Sequence, residues 1–222
     1  MPVYHLHGDR AATADAWLRS PALDNLQELE LCTYETGLPY PPSSPLPPPP
    51  PSAAFRFSET LCVAIIGDCH LPNIAARALH FPKLKKLWFE GVIVSESSLH
   101  NMLAGCLALE CLLISHSDGF RCVRINSISL RSIGCQFDAY PHPGVIPFVE
   151  LVIENAPCLE RLLQLGSSRL QTSLISAPKL ETLGCLSSYH SSRLTFDKTV
   201  IQVAVTFLLA FTGPYYLYFM CY

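Results

Sequence analysis

Charge is scarce in this chain of 222 residues: Asp, Glu, Lys and Arg make up 15%, and the formal net charge is −3. The densest basic cluster is only Lys83, Lys85 and Lys86, so no phosphate-binding stripe is present and nucleic acid is not an expected partner. The ten cysteines include no C-x-x-C pair and have no H-x-x-x-H partner, which removes the usual zinc frameworks and argues against a disulfide scaffold. No N-x-S/T sequon occurs, and Met1 to Arg10 holds no apolar run. Reduced thiols in the cytosol or nucleus are therefore expected. Neither a G-x-S-x-G elbow nor a G-x-x-x-x-G-K cradle is found. His5 and His7 would share a strand face but lack a third ligand, and His142 lies in a stiff Pro-His-Pro-Gly turn. No catalytic, cofactor or metal site is expected, and the chain is not read as an enzyme.

Apolar residues, by contrast, make up half the chain, and they recur in a pattern. The hexamer Leu26-Gln27-Glu28-Leu29-Glu30-Leu31 has the spacing L-x-x-L-x-L. It returns as Leu61/Ala64/Ile66, Leu84/Leu87/Phe89, Leu109/Leu112/Ile114, Ile125/Ile128/Leu130, Phe148/Leu151/Ile153 and Leu180/Leu183/Cys185. The last two members of each set are two residues apart, so both face one side of a short strand. From Leu61 onward the leading residues step by about 23, 25, 16, 23 and 32 residues, against roughly 20–29 for leucine-rich repeats. The uneven steps leave room for extra strands, with Leu130/Ile133/Cys135 and Leu159/Leu162 as candidates. The slot three residues beyond the last core position can serve a buried turn. It holds Tyr34, Cys69, Val92, Ser117 and Asp138, of which only Cys69 and Ser117 suit that task. The expected fold class is α/β: a leucine-rich-repeat solenoid with a curved parallel β-sheet and irregular helices on the convex side. Leu29, Leu87, Leu112 and Leu151 should stack side by side.

The organisation expected is an N-terminal helix and first repeat over 1–34, a proline-rich surface insert over 35–58, a repeat body over 59–202 and an apolar tail over 203–222. Ala11 to Arg19 predicts the first helix. Nine prolines in the thirteen positions from Pro39 to Pro51 predict extended polyproline, whose P-x-x-P frames could dock on aromatic grooves or form an inert loop. Ser95 is placed to cap a second helix in which Leu99, Met102 and Leu103 share one face, and Gly105 should stop it. The tail carries no charge and is long enough for a membrane span, although Gly213-Pro214 interrupts it. It reads as translated unspliced sequence, a tail anchor or a buried cap.

Several phrases resemble a known family. The run Phe81-Pro-Lys-Leu-Lys-Lys-Leu-Trp-Phe-Glu-Gly-Val-Ile-Val-Ser-Glu-Ser-Ser-Leu-His-Asn-Met-Leu-Ala-Gly-Cys106 is followed by Leu109-Glu-Cys-Leu-Leu-Ile114. With Ile153-Glu-Asn-Ala-Pro-Cys-Leu-Glu-Arg-Leu162, Ser176-Ala-Pro-Lys-Leu-Glu-Thr-Leu183 and the stretch from Trp17 to Leu31, it is similar to the plant F-box/leucine-rich-repeat proteins. In that family an F-box joins a Skp–cullin ubiquitin ligase and the repeats select the substrate, so the resemblance implies a protein–protein interaction module. Nothing before Leu23 reads as an F-box, so binding to the ligase adaptor is not expected. The competing expectation is a truncated or read-through remnant, tethered to a membrane through 203–222 and without ligase function. Candidate partner contacts are the residues alternating with the core ones: Glu28, Glu30, Lys86, Trp88, Cys111, Leu113, Glu150 and Val152. Trp88 and Leu113 would be exposed apolar residues there or pack under a neighbouring loop.

Overall fold

The computed structural model describes residues 9–32, 46–71, 79–137, 144–166, 170–184, 192–196 and 199–203. Its helices are α1 (Asp9–Leu18) and α2 (Glu96–Gly105). Its strands are β1 (Glu28–Leu31), β2 (Val63–Gly67), β3 (His70–Leu71), β4 (Lys86–Glu90), β5 (Ile93–Val94), β6 (Cys111–Ser115) and β7 (Cys122–Asn126). They continue with β8 (Ser132–Phe137), β9 (Glu150–Asn155), β10 (Arg161–Gly166), β11 (Gln171–Leu174), β12 (Thr182–Gly184), β13 (Ser192–Phe196) and β14 (Thr199–Val203). One seven-stranded sheet runs β1-β2-β4-β6-β8-β10-β12, parallel throughout, and it is the concave sheet of a leucine-rich-repeat solenoid.

Five of the seven strands of this sheet start the same way. The leading leucine closes a tight turn by donating its N–H to the carbonyl three residues back, as Leu26 to Leu23, Leu84 to Phe81, Leu109 to Cys106, Leu159 to Ala156 and Leu180 to Ala177. The next carbonyl then accepts two N–H groups from the following repeat. Lys85 receives Glu110 and Cys111, Glu110 receives Arg131 and Ser132, and Arg131 receives Glu160 and Arg161. This ladder brings the second hexamer positions into one row, Leu29-Ala64-Leu87-Leu112-Ile133-Leu162-Leu183. The third positions form another, Leu31-Ile66-Phe89-Ile114-Cys135-Gln164. Leu87, Leu112, Ile114 and Ile133 are all at most 2% exposed. Each such leucine contributes about 1.5–3 kcal/mol by leaving water.

Two hexamers do not join this sheet. Ile125 lies in β7 and Leu151 and Ile153 lie in β9, within a second sheet ordered β14-β13-β11-β9-β7. Ile128, expected in the core, is 72% exposed at a turn. The last three concave strands, β8, β10 and β12, come instead from the sets beginning at Leu130, Leu159 and Leu180, the first two being the candidates for extra strands. With Leu130 and Leu159 as leading residues the steps become about 23, 25, 21, 29 and 21, and the irregularity disappears. Leu151 therefore stacks between Val123 and Thr172, not beside Leu112.

The convex side thus has two constructions. Between β4 and β6 it is α2, capped by Ser95, whose Oγ accepts the Ser98 N–H, with Leu99 and Met102 fully buried. From β7 onward it is the second sheet, parallel except for the β13–β14 pair. The cause is local periodicity: apolar residues at i, i+3 and i+4 in α2, but alternation in β7, where Val123 and Ile125 are buried and Arg124 is exposed. Gly105 is the last residue of α2 and Cys106 caps it, so the glycine serves a different purpose from the one its sequence suggests. Its φ is not positive; a Cβ there would come 3.0 Å from the Leu79 carbonyl oxygen, so the position needs the missing side chain for close packing.

The proline run is only partly a surface feature. Leu46 is 61% exposed, but Pro47, Pro50 and Pro51 are buried, and the Pro48 carbonyl accepts the His70 N–H at 3.1 Å. The 3-10 helix Ser52–Phe57 then buries Ala53, Ala54 and Phe57. Asp15 of α1 locks onto it, accepting from the Ala53 N–H at 2.8 Å and from Ser52 Oγ at 3.1 Å. These contacts tie residues 47–57 to the body of the solenoid. The frames Pro39/Pro42 and Pro42/Pro45 lie outside the described residues. Among the described residues no helix is long and apolar enough to cross a membrane, and 204–222 lie outside them.

Candidate protein-interaction surface

Strand alternation turns every second residue of the concave sheet away from the core. The register aligns Glu28, Val63, Lys86, Cys111, Ser132, Arg161 and Thr182 in one outward row. A parallel row holds Glu30, Ile65, Trp88, Leu113, Gly134, Leu163 and Gly184. Acid therefore stands on β1, an apolar band crosses the middle, and the bases Lys86 and Arg161 stand further along. Six of the eight expected contact residues (Glu28, Glu30, Lys86, Trp88, Cys111 and Leu113) lie on this face. Glu150 and Val152 do not. They belong to β9, in the second sheet, where Val152 is 6% exposed, because the hexamer that carried them is a convex strand.

Exposure also divides the six. Glu28 is exposed, while Glu30, Lys86 and Trp88 are half-buried. Leu113 is 4% and Cys111 is 7% exposed, so of the two readings for the apolar pair, Leu113 follows the covered one. The expectation of reduced thiols fails at Cys111, which is disulfide-bonded. Among the described residues seven other cysteines are free. Burial pushes the thiols of Cys69, Cys106 and Cys135 up to about 12, which keeps them protonated and unreactive.

Sequence reasoning missed Val63, Ile65, Arg161 and Leu163, which share these rows, and it missed Glu90. Trp88 Nε1 donates to Glu90 Oε2 at 3.1 Å, fixing the indole on the face. Burial pushes the Glu90 carboxyl up from its ordinary range, and nearby His116 together with the Trp88 bond pulls it part of the way back. The clue was available, since Glu90 follows Trp88 at the spacing of two that defines an outward row.

The strand ends above this face are built alike. The residues after β2, β4 and β6 are Asp68, Gly91 and His116, with φ of 48°, 62° and 48°. Each turns the chain sharply into the convex side, and Asp and His are among the residues that tolerate this conformation. One step on, Ser117 fills the slot foreseen for it: its Oγ accepts the Val92 N–H at 3.1 Å and donates to the Ser115 carbonyl at 2.8 Å. Along the opposite edge run two ion pairs, Lys85–Glu110 at 3.2 Å and Arg131–Glu160 at 3.0 Å.

The arrangement offers a ridged sheet with an apolar centre and charged margins, suited to holding another protein. Among the described residues no group of three or more His, Cys, Asp or Glu could hold a metal ion, and His5, His7 and His142 lie outside them. No curated protein and no solved structure matches this chain. One family description, FBD-associated F-box protein At5g56370, LRR repeats, matches residues 14–210. Most of the length is matched and the repeats fold as that description requires, so the chain belongs to this leucine-rich-repeat family of F-box proteins, a family of binding repeats.

Proposed function

We propose that the concave sheet is the substrate-recognition surface of an F-box protein of the Skp–cullin ubiquitin-ligase type, with Trp88 as its anchor. The observation that carries this is Trp88, a large aromatic facing away from the core and half-buried between the covered Ile65 and Leu113, with its indole held in place by Glu90. Aromatic anchors in partly desolvated settings carry a disproportionate share of interface energy. Glu28 and Glu30 on the β1 flank, Lys86 on the strand of Trp88 and Arg161 on β10 would orient the partner by charge. The reading places the chain in the cytosol or nucleus, and the seven free cysteines support a reducing compartment, with Cys111 as the exception.

Affinity capture followed by mass spectrometry tests this. A partner retained by the native chain should be lost at least tenfold with Trp88→Ala and weakened by Lys86→Glu, whereas Glu150→Lys on the second sheet should leave capture unchanged. Equal capture by native chain and Trp88→Ala, or loss only with Glu150→Lys, would reject the concave face as the binding surface.

A further inference from the structure

The second sheet ends at β7, whose outer edge has no neighbouring strand among the described residues. Three backbone donors at this edge, one of them just before β7, are met by side chains of α2. The N–H groups of Arg121 and Cys122 both point to Glu96 Oε2, at 2.9 and 3.0 Å, and the N–H of Arg124 points to His100 Nε2 at 3.0 Å. Glu96 and His100 are four apart and so lie on one helix face. They replace the carbonyls that a strand would supply. An unmet donor at a sheet edge is costly and invites pairing with other chains, so these two acceptors close a liability.

We propose that His100 and Glu96 form an acid-released latch that holds α2 on the edge of the second sheet. The two acceptors differ in how they respond to protons. Nε2 accepts only while it carries no hydrogen; a protonated imidazole has donors at both nitrogens and would face the Arg124 N–H with a second N–H. The titratable and charged groups on the elements that meet here are Cys122 and Arg124 of β7, Arg121 just before it, Glu150 and Glu154 of β9, and Glu96 on the same helix as His100. Arg124 is paired with Glu154 at 3.1 Å and Glu150 lies beside Cys122, which leaves Glu96 as the carboxylate toward which an imidazolium would turn. The bonds from Cys122, then Arg121, with help from His100 and Arg124, hold the Glu96 carboxyl below its ordinary range. Its contribution is therefore complete above the ordinary carboxylate range and fades only as pH falls through the lowered value. Protonation of either acceptor removes a bond from the edge, so acidification loosens the latch.

Amide hydrogen exchange between pH 8 and pH 5, corrected for the intrinsic pH dependence, reads the loss of the His100 bond. Protection at Arg124 should fall about three- to tenfold, the size of one lost hydrogen bond, while Ile114 in β6 keeps its protection. With His100→Gln, which keeps an acceptor that does not titrate, the Arg124 protection should be the same at both ends of the range. In the native chain the Arg124 amide proton shift should titrate with the His100 ring. Flat protection in the native chain, an equal fall in His100→Gln, or an amide shift whose midpoint differs from that of the ring would overturn the latch.

Discussion

The early and late repeats of this solenoid share one concave sheet but close their backs differently. Between β4 and β6 a helix covers the core, with Leu99 and Met102 directed inward. From β7 onward strands do the same work, and Val123, Leu151, Ile153 and Leu174 fill the corresponding space. The two constructions are joined where α2 meets the β7 edge. The comparison teaches that the constant part of such a repeat is the doubly used carbonyl at the strand entrance. That unit needs one buried leucine and a free backbone. Beyond the strand, any element that returns an apolar face to the core will serve, and local periodicity chooses it.

If the concave sheet is common to both regions, its interior row should be costly to breach wherever neighbours lie on both sides. Leu112→Ala, fully buried between Leu87 and Ile133, should lower stability by about 3–4 kcal/mol. Leu183→Ala in the same row, 38% exposed on β12, should cost about 1 kcal/mol. Denaturant unfolding measures both, and equal losses would break the claim that one continuous core is being sampled.

A smaller effect distinguishes the turns from the backs they lead into. Ser117→Ala should cost about 1–2 kcal/mol, because the Val92 N–H loses its only hydroxyl acceptor in a site closed to water. Ser117→Cys should lose less, as Cys69 occupies the matching slot after β2. An alanine variant with an unchanged unfolding midpoint would show that the slot is only spatial. The smallest effect is expected at the entrance edge. Double-mutant cycles on Lys85–Glu110, in the early region, and Arg131–Glu160, in the late one, should each give about 0–1 kcal/mol. A large difference between the two cycles would mean that the edge is not built alike in both regions.

Much of this was legible beforehand, and the errors have a single origin. Leu29, Leu87 and Leu112 stand in one row as their spacing required, α2 begins at its Ser95 cap, and Ser117 serves its turn. Six contact candidates face outward from the concave sheet because alternation alone decides that. Glu150 and Val152 were misplaced together with Leu151, since the set Phe148/Leu151/Ile153 repeats the hexamer spacing in a strand on the other side of the core. The cover over Leu113 left no mark in its neighbours' identities. The burial of Pro47, Pro50 and Pro51 was hidden by composition, because proline carries an apolar ring that packs when a surface is presented to it.

Residue spacing alone determined that short strands alternate inward and outward and that the repeats must stack, since a period of two and an apolar hexamer admit few other ways to hide that much hydrocarbon. It could not decide which side of the core a given strand would occupy. A strand has the same period on either side, and the choice rests on contacts between residues far apart in the chain. The carbonyls of Lys85, Glu110 and Arg131 each capture the next repeat's N–H pair, and those bonds, which exist only after folding, sort the strands into two sheets.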